Sequence, residues 1–192
     1  MIFNETEKTE REYLGSVIRI LQEAILNIDT SVKEHVQTLQ ENKEYLWSNK
    51  DIDPQEVRSM RESILNHFAQ GENVIAHRRR LERLLNIPYF GRIDFRENKS
   101  ECITMPIYIG IHTFPHPEDK TNLIYDWRAP VSAMYYEFEP GPASFSAPSG
   151  KIEGNILLKR QFRIRKGIME YMIESSLTIL DDILLLVQPV TI

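Results

Sequence analysis

His112, His116 and the single cysteine, Cys102, are the residues whose types suggest metal or nucleophilic chemistry. The histidines lie four apart, with the cysteine ten residues upstream. A zinc site needs three or four converging ligands. Pro115 and Pro117 break the helix that would align an i,i+4 pair. Two solvated loop histidines are the better reading, so no metal ligand set is assigned. Cys102 has no base marked for it and is not read as a nucleophile. No nucleophile, base and orienting group stand out together, and no catalytic residue is assigned.

Phosphate chemistry fares no better. The sequence holds no G-x-x-x-x-G-K-[ST], no G-x-G-x-x-G and no G-x-S-x-G. Without the backbone cradle and lysine of a phosphate loop, the chain is not expected to hydrolyse ATP by itself.

Charge is more informative. The 23 basic and 28 acidic residues give a net charge of −5, which argues against a general nucleic-acid coat. Two basic groups stand out locally. Arg78, Arg79, Arg80 and Arg83 cluster near one helix end, where the helix dipole also favours cations. Lys159, Arg160, Arg163, Arg165 and Lys166 follow within eight residues. If Phe162 and Ile164 face a core, Arg163 and Arg165 share the opposite face. Contact of Arg78, Arg79, Arg80, Arg83, Arg163 and Arg165 with DNA or RNA is one reading, and an ordinary solvated face is the other. An acidic stretch, Glu41 to Glu56, carries Trp47, Asp51, Ile52 and Asp53, a candidate docking surface for a partner.

The elements that must position these groups differ between the two halves. Residues 1–86 contain only Gly15, Gly71 and Pro54 as breakers, whereas residues 87–192 hold six glycines and nine prolines. Long helices followed by short strands and turns are expected. Leu14, Ile18, Leu21, Ile25, Ile28, Val32, Val36 and Leu39 recur at spacings of three and four, close to a coiled-coil seam. Asp53-Pro54-Gln55-Glu56 supplies an N-cap and a proline at the first helical position of a second helix, Pro54 to about Asn86. Folding the two helices back on each other would bury both stripes. After Pro88, strands are expected at Tyr89–Phe95, Ile107–Ile111, Leu123–Tyr125, Ala133–Phe138, Ser144–Ser146, Asn155–Leu158 and Gln161–Ile164, with a turn at Lys166-Gly167. Ser175–Val187 reads as a short C-terminal helix, because Leu177, Leu180, Ile183, Leu184 and Val187 share a face. Its longest apolar run, Ile183–Val187, falls far short of the roughly 20 residues a membrane span needs. No signal peptide is apparent, so a cytoplasmic setting is expected.

Several strings occur in order: Tyr89-Phe90-Gly91-Arg92-Ile93-Asp94-Phe95, Ile107-Tyr108-Ile109-Gly110, Asp126-Trp127-Arg128-Ala129-Pro130, Ala147-Pro148-Ser149-Gly150 and Leu158-Lys159-Arg160-Gln161-Phe162. Together they resemble the N-terminal region of HelD-type proteins, the RNA-polymerase-associated branch of the UvrD-like superfamily 1 DNA helicases, over residues 1–183. The resemblance implies a helical arm that enters a channel of RNA polymerase, joined to part of the first motor domain. ATP and Mg are implied only for the full-length family, whose remaining motor domains would be a further partner. It also makes Trp47–Asp53 the arm tip, and gives Gly91, Asp126, Trp127, Arg128 and Pro130 a structural role where arm and body join.

The reading is therefore an α+β chain. Residues 1–86 form a long antiparallel helical hairpin, a coiled-coil arm with its tip at 47–53. Residues 87–192 form a small, mainly antiparallel β region ending in a short helix. Its expected function is the non-catalytic docking part of an ATP-dependent RNA polymerase recycling factor; the alternative is a nucleic-acid-binding module using the basic patches at 78–83 and 159–166.

Overall fold

The computed structural model describes residues 5–48, 53–99, 103–180 and 183–191. They divide into two units: one comprises residues up to 20 together with 83–192, the other residues 21–82. The division runs through both long helices, α1 (Glu5–Ser48) and α2 (Pro54–Asn86). No helix among the described residues is long and apolar enough to cross a membrane.

In the helical unit, the expected boundary forms as its residue types require. Asp53 Oδ1 accepts the Gln55 N–H at 2.9 Å, and its carbonyl accepts the Val57 N–H at 3.0 Å. Proline at the first helical position loses no hydrogen bond there. Ile25, Ile28, Val32 and Leu39 of the α1 seam are half-buried, as are Val57, Met60 and Ile64 of α2. Val36 departs from the seam and is 48% exposed. Side-chain links between the helices include Arg78 Nε to Asp29 Oδ1 at 2.6 Å and the Tyr45 hydroxyl to Glu56 Oε1 at 3.3 Å.

The other unit is built on an eight-stranded, mostly antiparallel sheet. In chain order its strands are β1 (Gly91–Glu97), β2 (Thr104–Gly110), β3 (Phe114–Pro115), β4 (Asn122–Asp126), β5 (Gly141–Ala147), β6 (Gly150–Arg165), β7 (Ile168–Leu180) and β8 (Ile183–Thr191). Laterally the order is β3-β4-β2-β1-β6-β7-β8, with β5 added to β6. Among the described residues, only β2 and β4 pair in parallel. The sixteen residues of β6 are the spine, pairing with β1, β5 and β7. The two strands expected at Asn155–Leu158 and Gln161–Ile164 are thus one.

A bulge decides which side chains each face receives. Asp94 pairs with Leu158 but Phe95 with Ile156, leaving Leu157 as the extra residue of β6. Ile156 therefore joins Ile93, Phe95, Ile107, Ile109 and Ala143 in one buried apolar cluster, while Arg160 lies on the opposite face beside Arg92. The apolar face is covered by α3 (Pro130–Glu137), through Met134.

Two expectations are corrected here. Ala133–Phe138 is not a strand: residues 133–137 belong to α3. Pro130 presets the first helical turn, the Ser132 hydroxyl donates to the Asp126 carbonyl at 2.8 Å, and Val131, Met134, Tyr135 and Phe138 recur at helical spacing against the cluster. Nor is Ser175–Val187 a helix. Residues up to Leu180 continue β7, and β8 returns antiparallel to it with Leu180 opposite Ile183. A short apolar run satisfies helical and extended templates alike, and here the free edge of β7 takes it.

The turn at Lys166-Gly167 forms as expected and does more than connect strands. Both residues have positive φ, 51° and 72°. The Lys166 N–H donates to Asn86 Oδ1 at 2.8 Å and the Gly167 N–H to the Asn86 carbonyl at 3.0 Å, so the hairpin caps the last turn of α2. A Cβ at Gly167 would stand 2.9 Å from Ile18 Cδ1 and 3.3 Å from the Leu85 carbonyl oxygen. Gly167→Ala is expected to lower stability by about 1–3 kcal/mol, from the left-handed backbone and the crowding together. The check is a lower urea midpoint at unchanged m-value; an unchanged midpoint would remove the turn from the account of how α2 ends.

Candidate functional site

The residues singled out in the sequence fall at several separate places. At the expected tip, Asp53 is the α2 cap described above. Asp51 and Ile52 lie outside the described residues, as do Cys102 and the side chain of Trp47, whose backbone belongs to α1. Arg78 is engaged within the helical unit, by Asp29 and by Glu82. Its hydrogen bond holds the Asp29 carboxyl below the ordinary carboxylate range. Arg79, Arg80 and Arg83 are exposed. On β6, Phe162 and Ile164 are buried and Arg163 and Arg165 are exposed. Both arginines face Glu170 of β7, at 3.0 and 3.6 Å, which reduces the positive field there.

The five junction residues pack locally. A Cβ at Gly91 would stand 2.7 Å from the Tyr135 ring, so β1 and α3 approach through a glycine. Asp126 accepts the Arg128 N–H at 2.9 Å and pairs with its guanidinium at 3.1 Å. That hydrogen bonding holds the Asp126 carboxyl below the usual range. The Trp127 N–H donates to the Gly110 carbonyl at 2.9 Å, while its ring stays 48% exposed beneath Arg128. Pro130 opens α3. Beside this turn lies a groove of about 710 Å³, floored by Ile107, Tyr125, Val131 and Phe145 and edged by Thr121 and Asn122. His116 Nδ1 stands 3.6 Å from Asp119. Among the described residues, no group of three or more His, Cys, Asp or Glu side chains is arranged to hold a metal ion.

The most tightly assembled polar constellation was missed in the sequence. Tyr108, Arg92, Arg160 and Glu174 are successive register partners on β2, β1, β6 and β7, forming one row across four strands. Glu10 of α1 lies on this row with no exposed surface. Its Oε1 accepts from Arg160 Nη1 at 2.5 Å and from Arg92 Nη1, and its Oε2 accepts the Tyr108 hydroxyl at 3.1 Å. Asp94 takes Arg92 through two further bonds, at 2.6 and 2.8 Å, and Glu174 takes Arg160 Nε at 2.7 Å. Burial opposes the charge on Arg92, but the Asp94 hydrogen bond and the surrounding groups outweigh it and raise its pKa. Tyr13 stacks on Tyr108 with ring centroids 4.0 Å apart, and Tyr89 meets the same ring edge-on at 4.8 Å. The available signal was a strand, Arg92-Ile93-Asp94-Phe95, whose polar positions alternate with buried ones. Nothing local marks Glu10 among Glu5, Glu7 and Glu12.

This geometry lies inside a segment with a known relative: the family described as DNA helicase IV HelD, N-terminal domain, matches residues 7–183. The chain belongs to that family. No curated protein matches it. The HelD N-terminal match runs from the first turn of α1 to the first residue of β8, and so includes the Glu10 row and the Asp126–Pro130 turn.

Two outcomes follow from the row. Arg160→Met removes one of the two guanidiniums from Glu10, which keeps Arg92 and Tyr108, and the loss is expected to be about 1–3 kcal/mol. A urea midpoint within error of wild type would show that Arg160 is dispensable. The hydroxyls of Tyr13, Tyr89 and Tyr108 are all raised above the ordinary phenol range, first by burial and then by neighbours including the Glu10 charge. Folding thus favours the protonated phenol. Its contribution is complete below the unfolded pKa of about 10 and is lost as pH rises past it. Urea midpoints should be level from neutral pH to about pH 9 and fall steeply above about pH 10, with a shallower fall in Tyr108→Phe.

Proposed function

We propose that this chain is the non-catalytic N-terminal part of an ATP-dependent, helicase-like RNA polymerase recycling factor, acting in the cytoplasm, and that its two long helices dock to RNA polymerase. Family membership over residues 7–183 supports the first statement. The observation that carries the second is the pair of helix-to-helix links, Asp29 with Arg78 and Tyr45 with Glu56. As residue numbers rise along α1 they fall along α2, which fits an antiparallel hairpin with Trp47–Asp53 at its tip. ATP and Mg belong to the full-length family, and the sheet unit is the portion that adjoins the remaining motor domains. In this reading Gly91, Asp126, Trp127, Arg128 and Pro130 act structurally, shaping the sheet where α3 joins it.

A second reading, a nucleic-acid-binding module, is favoured by the exposure of Arg79, Arg80 and Arg83. It is weakened by the pairing of Arg163 and Arg165 with Glu170. The two readings respond differently to salt and to substitution. Phosphate contacts weaken steeply with ionic strength, by a log–log slope of about −0.9 per contact on duplex DNA.

The deciding experiment is co-migration with core RNA polymerase, comparing the chain with a form shortened between Leu39 and Ile64 by matched helical turns. Docking through the helices predicts that the shortened form no longer co-migrates while its sheet unit still melts cooperatively. Undiminished binding removes the helices from the mechanism. Loss of binding on neutralising Arg79, Arg80 and Arg83, with a steep salt slope, selects the second reading.

A further inference from the structure

The first two turns of α1, residues 5–12, contain no apolar side chain. Glu10 is the one buried residue among them. From Tyr13 onward the attachment changes in kind. Tyr13 stacks on Tyr108 and donates its hydroxyl to the Leu123 carbonyl at 2.9 Å, and Leu14 and Val17 are buried. Charge holds the start of the helix to the sheet, and packed carbon holds the turns that follow.

The charges beneath are not matched one to one. Three carboxylates, Glu10, Asp94 and Glu174, surround two guanidiniums, Arg92 and Arg160. Asp94 binds Arg92 in fork geometry from its own strand, and Glu174 binds Arg160 from the adjacent strand. If Glu10 leaves, each guanidinium keeps a carboxylate supplied by the sheet. The penalty that normally follows the breaking of a buried pair, an uncompensated charge, is thereby avoided on the sheet side. On the helix side, Glu10 passes into water, where its charge is solvated.

We propose that residues 5–12 are a releasable strap. The segment hinges at Tyr13, lifts Glu10 from the row and uncovers Arg92, Arg160 and Tyr108, while the sheet and the apolar attachment of residues 13–20 stay in place. The closed strap occupies the convergence point of two guanidiniums with a carboxylate of the chain itself.

Native-state hydrogen exchange on the full chain tests this. The amides of Thr9 to Glu12 are the first that bond within α1, so their protection reports the strap alone. In the wild type they should exchange at least tenfold faster than those of Tyr13–Ile20, through an opening insensitive to low urea. In Glu10→Gln they should accelerate at least tenfold further, while amides of β1 and β6 and the melting transition of the sheet remain as in wild type. Equal protection across residues 9–20 in the wild type overturns the proposal. So does a Glu10→Gln chain that fails to fold, one that leaves Thr9–Glu12 unchanged, or one that accelerates β1 and β6 together with them.

Discussion

A carboxylate shut off from water between two guanidiniums ties the start of α1 to one register of the sheet. Glu10 is tolerable at that depth because Arg92, Arg160 and Tyr108 all donate to it. Those donors converge because they occupy one lateral row of the sheet. The constraint therefore acts on strand register as much as on the helix. Side chains alternate between faces, so a slip of one residue in β1 would carry Arg92 into the cluster of Ile93, Phe95, Ile107 and Ile109 and take from Glu10 one of its two guanidiniums. Apolar packing alone penalises such a slip; a buried ion row penalises it on both faces at once.

The bulge at Leu157 follows from the same requirement. A regular β6 would place Ile156 and Arg160 on one face, being four residues apart. The unit needs them on opposite faces, Ile156 under α3 and Arg160 under α1. One extra residue solves this, and it allows a single strand to serve two hairpins, with β5 on its first half and β7 on its second. The β6–β7 turn then returns to cap α2 at Asn86, so the end of one long helix and the start of the other are both fixed by groups on the sheet.

Legibility in the sequence tracked the range over which each structure is determined. The Asp53-Pro54 boundary, the two long helices and the Lys166-Gly167 turn are set by neighbours within a few positions, and all were readable. α3 was misread although Val131, Met134, Tyr135 and Phe138 carry the helical period, because Tyr135-Tyr136 beside Phe138 also suits a strand. β8 was misread because five consecutive apolar residues fit either template. The Glu10 row was invisible for a different reason: its partners stand 82 and 150 positions away, and burial of a charge is decided wholly by them. The strings that carried the family resemblance gain a physical basis from the fold. Gly91 admits the Tyr135 ring, Gly110 accepts the Trp127 N–H, and Arg160 ligates Glu10.

The two units differ in how much of their cohesion is internal, and that difference bears on the docking reading. The sheet unit buries Tyr89, Phe95, Ile93, Ile109, Ile124, Met134 and Ile156 almost completely. The helical unit has a seam that is mostly half-buried, and Leu26, Val36, Leu65 and Ile75 are exposed by 45–68%. Its most specific link, Asp29 to Arg78, is solvated on both sides and contributes little by itself. Helices whose apolar positions are mostly half-buried gain less from packing than a layered core does, and helical propensity adds only a small increment per residue. A partner that covered Leu26, Val36, Leu65 and Ile75 would add burial to a unit that has little of its own. An element of that kind is suited to recognition, because the burial that completes it is supplied by the surface it recognises.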